Sequence, residues 1–206
     1  MQRRILLTGL LAALPLAGTR ADDRPARAAA FIEAQGKALV AVLDSDAPLP
    51  VKRAEVARLL RAAVDVRGVG QFVLGRHWRT ASEAQRAEFL ELFEETLVRN
   101  LSSRFGELQG VTFEVGRTQV RGEDGVSVAT TVSRPGQPPV ALDWLVSEAS
   151  GRPLIVDLVA EGTSLRITQR SEYSAVIQRG GGRLDTLLDA MRRQLAQLEA
   201  RELASN

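Results

Sequence analysis

Near residue 110 the hydrophobic repeat of this chain changes from about four to two. Before that point Phe89, Phe93, Leu97 and Leu101 recur at steps of four, with Glu91, Glu94, Glu95 and Arg99 largely on other faces. That spacing puts the apolar groups on one stripe of a helix. Beyond it Val111, Phe113 and Val115 alternate with polar neighbours, as do Val126, Val128, Thr130 and Val132, and then Leu142, Trp144 and Val146. A period of two belongs to strands with one covered face. The stretch PLIVDLVAEG is nearly continuously apolar, as a central strand can be, and GEDG and SRPGQPP read as hairpin connections.

Helical patterns resume afterwards, from near Ser164 to Gln178. After the break RGGG, Leu184, Leu188, Met191, Leu195 and Leu198 recur at four-three spacing. Ahead of the strands, Phe31, Ala34, Ala38 and Val42 mark a first helix over Arg24 to Asp46. Pro48 and Pro50 separate it from a second, with Val56, Leu59, Leu60 and Ala63 on its apolar face. VDVRGVGQFVLGRHW predicts a short glycine-punctuated helix, and Ser82 with Gln85 a capping box opening a long helix to about Phe105. Helices, then an antiparallel run, then helices predict an α+β fold. Its curved sheet of about four strands packs against several helices, a natural place for an elongated apolar cavity.

The first 21 residues read as a cleaved secretory signal peptide: Arg3 and Arg4, an apolar run from Ile5 to Ala17, and small residues to Ala21. The run is too short for a membrane span, and the paired arginines loosely resemble a twin-arginine signal, with the general secretory route the simpler reading. Residues 22–206 are then one domain. Removing the leader takes three arginines from the 27 basic residues and none of the 25 acids, leaving 24 against 25. The basic balance therefore belongs to the precursor, and no nucleic-acid partner is implied. There is no cysteine, which removes disulfides, thiol nucleophiles and zinc–thiolate sites. An exported, disulfide-free chain suits the periplasm of a bacterium.

The single histidine, His77, has no second histidine or cysteine with which to hold a metal and no recognisable nucleophile to activate. GVSVA has half a nucleophile elbow, without its last glycine and inside a strand, and GVGQFV has only the first two glycines of a dinucleotide loop. No catalytic residue, metal site or cofactor is predicted. Among 25 arginines against two lysines, Arg76, Arg79 and Arg170 are candidates to meet phosphate or an acidic partner.

Two blocks carry a family resemblance. The first holds Asp65, Leu74-Gly75, Trp78, Gln85-Arg86, Phe89, and Phe93 with Leu97. The second holds Asp157, Gly162, Ser164, Leu165, Arg170 and Gly182-Arg183-Leu184. Their residues and order resemble the MlaC family of toluene-tolerance proteins. Tyr173 stands where that family usually has Phe, and a tyrosine common near Asn100 is absent, departures that bear on pocket shape and lipid preference. The resemblance implies a periplasmic phospholipid carrier, not an enzyme, with a deep apolar cavity for acyl chains. Its partners would be an outer-membrane lipoprotein–porin complex and an inner-membrane ABC transporter complex with a membrane-anchored substrate-binding subunit. On that reading Phe72, Trp78, Phe89, Phe93, Leu97, Val128, Thr130, Leu142, Trp144, Tyr173 and Ile177 line the cavity. Two other readings stand beside it: an enzyme of a cavity-bearing α+β fold, acting through Asp65, Asp143 or Asp157 near His77, and a ligand-free interaction module.

Overall fold

The computed structural model describes residues 22–205, so the leader expected over 1–21 lies outside the described residues. Five helices come first: α1 (Arg24–Leu43), α2 (Leu49–Ala63), α3 (Val66–Leu74), α4 (Arg76–Thr80) and α5 (Glu83–Ser102). The strands β1 (Thr112–Val120), β2 (Val126–Ser133), β3 (Val140–Ser147), β4 (Leu154–Ala160) and β5 (Thr163–Ser164) follow. Helices α6 (Leu165–Arg179) and α7 (Leu184–Ser205) close the chain.

Local chemistry explains the boundaries. The Ser82 side chain accepts from the Gln85 amide and the Gln85 side chain accepts from the Ser82 amide, so the expected capping box opens α5. Asp65 caps α3 by accepting from the Gly68 amide at 2.8 Å. The short helix expected around residues 64–78 is two helices, α3 and α4, because Gly75 turns the chain at φ +53. A side chain at Gly75 would also press on the Arg170 guanidinium, 3.0 Å from where its Cβ would stand. The long helix ends at Ser102, and Phe105 falls in a separate 3₁₀ turn.

The sheet runs β1-β2-β3-β4-β5, antiparallel throughout, so it has one more strand than the alternating pattern predicted. The extra strand is two residues long, too short to carry a period. Register shifts at Val115/Thr118 and Leu145/Val146 bend the sheet. Val126, Val128 and Thr130 stand opposite Val146, Trp144 and Leu142. These in turn face Ile155, Leu158 and Ala160 on β4. This is the inner face, because Val126, Val128 and Val146 pack with Ala28 and Ile32 of α1. The α2–α3 junction is tied to β4. The Asp65 amide donates to the Ile155 carbonyl at 3.0 Å, and the Arg152 guanidinium donates to the Ala62 carbonyl at 2.6 Å.

Apolar burial is divided rather than pooled. Among the described residues one cluster joins α3 to α7 through Trp78, Phe89, Phe93, Tyr173, Ile177, Leu187 and Leu188. A second joins α1 to the sheet, and a third joins the end of α1, α2 and α5 through Leu43, Val56, Val98 and Phe105. Domains of this size usually show one contiguous core with small satellites.

Candidate functional site

The helices reach the sheet at its flanks. Helix α1 packs on β1 and β2 and reaches Val146 at one end of β3, and α2, α3 and α6 meet β4; among the described residues no helix packs to a comparable extent on the rest of the central strand β3. The side chains beneath that gap are apolar and only half-buried: Leu142 and Trp144 of β3 and Leu158 of β4. Trp144 lies at the margin of the second cluster, while Leu142 and Leu158 belong to none of the three. In a solid domain the inner face of a central strand is close-packed.

The polar groups on this strip are satisfied from within. The Trp144 indole N–H donates to Thr130 Oγ1 at 2.9 Å, and the Thr130 hydroxyl donates to the Leu142 carbonyl at 3.3 Å. Thr130 is buried, so the strip presents hydrocarbon and an aromatic face with no side-chain group left to bond.

The eleven residues expected from sequence to line the cavity fall into two groups. Val128, Thr130, Leu142 and Trp144 are cross-strand neighbours on the sheet. Trp78, Phe89, Phe93, Tyr173 and Ile177 are buried together in the helical cluster, with Phe72 and Leu97 packed against it. Phe89 and Phe93 stack at 5.6 Å, and Tyr173 meets them edge-on at 5.9 and 6.4 Å. Burial pushes the Tyr173 phenol well above its ordinary value, keeping it neutral. Arg86 lies over the Trp78 ring at 5.5 Å and donates to the Trp78 carbonyl at 2.9 Å.

Phe72, packed against that cluster, also borders an open surface. Arg166 and Arg170 cover its ring at 4.6 and 5.1 Å. Beside it, an open groove of about 490 Å³ is shared with Ile167, Arg170, Ser174 and Gln178. Of the three arginines singled out from sequence, Arg170 borders this groove, whereas Arg76 and Arg79 are exposed on α4. Sequence reasoning missed Leu158, Arg166 and Ile167. The exposure of Ile167 (55%) and Leu165 (47%) at the start of α6 is a property of the fold that a helical pattern does not reveal.

Among the described residues the His77 imidazole has no hydrogen-bonded carboxylate or hydroxyl with which to form an acid–base pair. Its Nε2 accepts from Arg76 at 3.4 Å, and burial first, then the Arg76 charge, hold its pKa below the ordinary value. Asp65 is the α3 cap. Asp157 accepts from Ser164 Oγ at 2.6 Å and from the Leu158 and Arg166 amides, and pairs with the Arg166 guanidinium at 3.3 Å. Among the described residues no cluster of three or more histidine or carboxylate side chains could hold a metal ion, and no helix is long and apolar enough to cross a membrane.

Comparison with known proteins adds two findings. Residues 34–193 match the MlaC protein family. Among solved structures, the fold is similar to that of a phospholipid-binding protein from Ralstonia solanacearum, determined in complex with a phospholipid. The TM-score is 0.72 at 23% identity, covering 84% of this chain and 98% of that one.

Proposed function

The chain belongs to the MlaC family, and on that premise we propose that it is a periplasmic phospholipid carrier whose acyl-chain site lies over the inner face of β3. The observation that carries the proposal is the half-buried, polar-satisfied strip of Leu142, Trp144 and Leu158 beneath a gap between helices. The buried helical aromatics Phe89, Phe93 and Tyr173 act as the rigid frame behind the tails, and Arg170 beside Phe72 lies toward the headgroup or a partner.

The physical task is transfer without exposure to water. Two acyl chains expose about thirty methylenes, and at roughly 0.8 kcal/mol each their passage through water costs about 24 kcal/mol. As a barrier this corresponds to escape times on the order of a day. A carrier interior as apolar as a bilayer makes the exchange nearly neutral, so neither membrane need hold the lipid irreversibly. The carrier exchanges phospholipid between an outer-membrane lipoprotein–porin complex and an inner-membrane ABC transporter complex. Direction comes from those partners through their different affinities for the lipid-loaded and empty forms. A binding role accounts for the site better than catalysis, since Asp65, Asp157 and His77 are tied into structural contacts and Asp143 lies on the opposite face of the sheet from the proposed lipid strip.

Native mass spectrometry of the protein purified from a bacterial periplasm tests this. One phospholipid per chain is expected, lost in Leu142→Glu while circular dichroism stays native. Wild-type protein that carries no phospholipid and takes none from vesicles would overturn the reading.

A further inference from the structure

We infer that the outer face of the sheet carries a second pocket, which receives the cationic side chain of a protein partner. Strand alternation builds it. Leu142 and Trp144 face inward, so Asp143 and Leu145 face outward, beside Ser127 of β2 and Asp157 and Val159 of β4. The β1–β2 connection adds Arg121 and Asp124, and together they bound about 240 Å³.

Three features select the occupant. The Ser127 hydroxyl lines the pocket on a residue only 8% exposed, yet it makes no hydrogen bond within the described residues. The hydroxyl oxygen opens onto the pocket with no partner among the described residues, so it is free to bond a group that enters there. Asp143 is half-buried, and among the described residues neither it nor Asp124 is in an ion pair, whereas Asp157 is already satisfied by Ser164, two amides and Arg166. Leu145 and Val159 supply apolar walls. A carboxylate and a hydroxyl above a hydrocarbon wall match an arginine or lysine side chain, whose stem lies on the wall while its head takes the polar groups. A metal ion is not the fit, because no set of three or more ligating side chains converges here among the described residues. Arg121 offsets one carboxylate, so recognition is local to Asp143 rather than the effect of a broad acidic field. The pocket lies on the opposite face from the proposed lipid strip, so it remains available whether or not lipid is bound, and the inference does not depend on the lipid reading.

The test is a nuclear magnetic resonance titration of the full mature chain with the peptide acetyl-Gly-Arg-Gly-amide and its citrulline counterpart, which keeps the shape without the charge. Saturable shifts are expected at Ser127, Asp143, Leu145 and Val159 with the arginine peptide alone. Asp143→Asn should weaken binding about tenfold or more, the usual effect of removing a charged hydrogen-bond acceptor. Asp124→Asn, at an exposed position, should weaken it less and provides a second variant with little effect on the fold. Equal binding of the citrulline peptide, an unchanged affinity in Asp143→Asn, or shifts confined to other surfaces would overturn the inference.

Discussion

Two leucines that look alike in sequence should respond very differently to truncation. Leu188 is 1% exposed within the helical cluster, packed with Leu184, Leu187 and Met191. Leu142 is half-buried on the inner face of β3 and belongs to no cluster. Leu→Ala removes three carbons, about 2.4 kcal/mol of transfer free energy when fully buried, at roughly 0.8 kcal/mol each. At Leu188 a cavity term is added because the surrounding side chains relax only partly, giving about 3–5 kcal/mol. At Leu142 only part of the side chain leaves water on folding, and it lies outside the three packed clusters, so the cost should be about 1 kcal/mol. Urea denaturation of delipidated protein measures both, with the slope unchanged and the midpoint shifted. A loss of 2.5 kcal/mol or more for Leu142→Ala would mean that β3 is covered by packed protein. No acyl chain could then lie against Leu142.

Gly125→Ala should destabilise the protein by about 2 kcal/mol or more in the same assay, because φ is +124 and an added Cβ would stand 2.1 Å from the Val146 carbonyl oxygen across the β2–β3 pair. His77 predicts the sign of a pH effect: its folded pKa lies below the ordinary 6.5, so the unfolded chain takes up the proton first. Stability associated with this group is therefore present above about pH 6.5 and falls as the pH drops through that value. Replacing it in His77→Gln should flatten the change in urea midpoint between pH 7 and 5.5, and an unchanged slope would remove His77 as its source.

Elements with a repeating pattern were legible in the sequence. The Ser82–Gln85 box, the steps of four through Phe89 and Phe93, and the alternation of Val126, Val128 and Thr130 all reappear in α5 and β2. The split at Gly75 was not, because a glycine inside an apolar run reads equally as a flexible helical position or a break. Nor was the division of the site. Phe93 and Leu142 are both periodic apolar residues, and nothing local distinguishes one at the centre of a stacked cluster from one beside a gap. That difference depends on where α1 and α6 meet the sheet, which is a matter of tertiary packing. The outer pocket was hidden for a related reason. Asp143 looks like an ordinary polar residue on an exposed strand face until the β1–β2 connection brings Arg121 and Asp124 beside it.

A lipid carrier must remain folded when empty, and the arrangement of the three clusters shows how this chain can do so. If the sheet's inner face were the only core, leaving Leu142 and Leu158 uncovered would remove much of the stabilising burial, and the empty form would collapse into the space. Here the largest aromatic cluster lies among α3, α5, α6 and α7, away from β3, and the third is held between α1, α2 and α5. Their burial does not depend on what lies over Leu142 and Leu158. The Thr130–Trp144 hydrogen bond adds a local constraint, fixing the indole against its own sheet rather than letting it swing into the gap. Stability is thus supplied mainly around the proposed site rather than within it. Tails can then be exchanged for a membrane interior of similar polarity without the loss of a core that the fold requires.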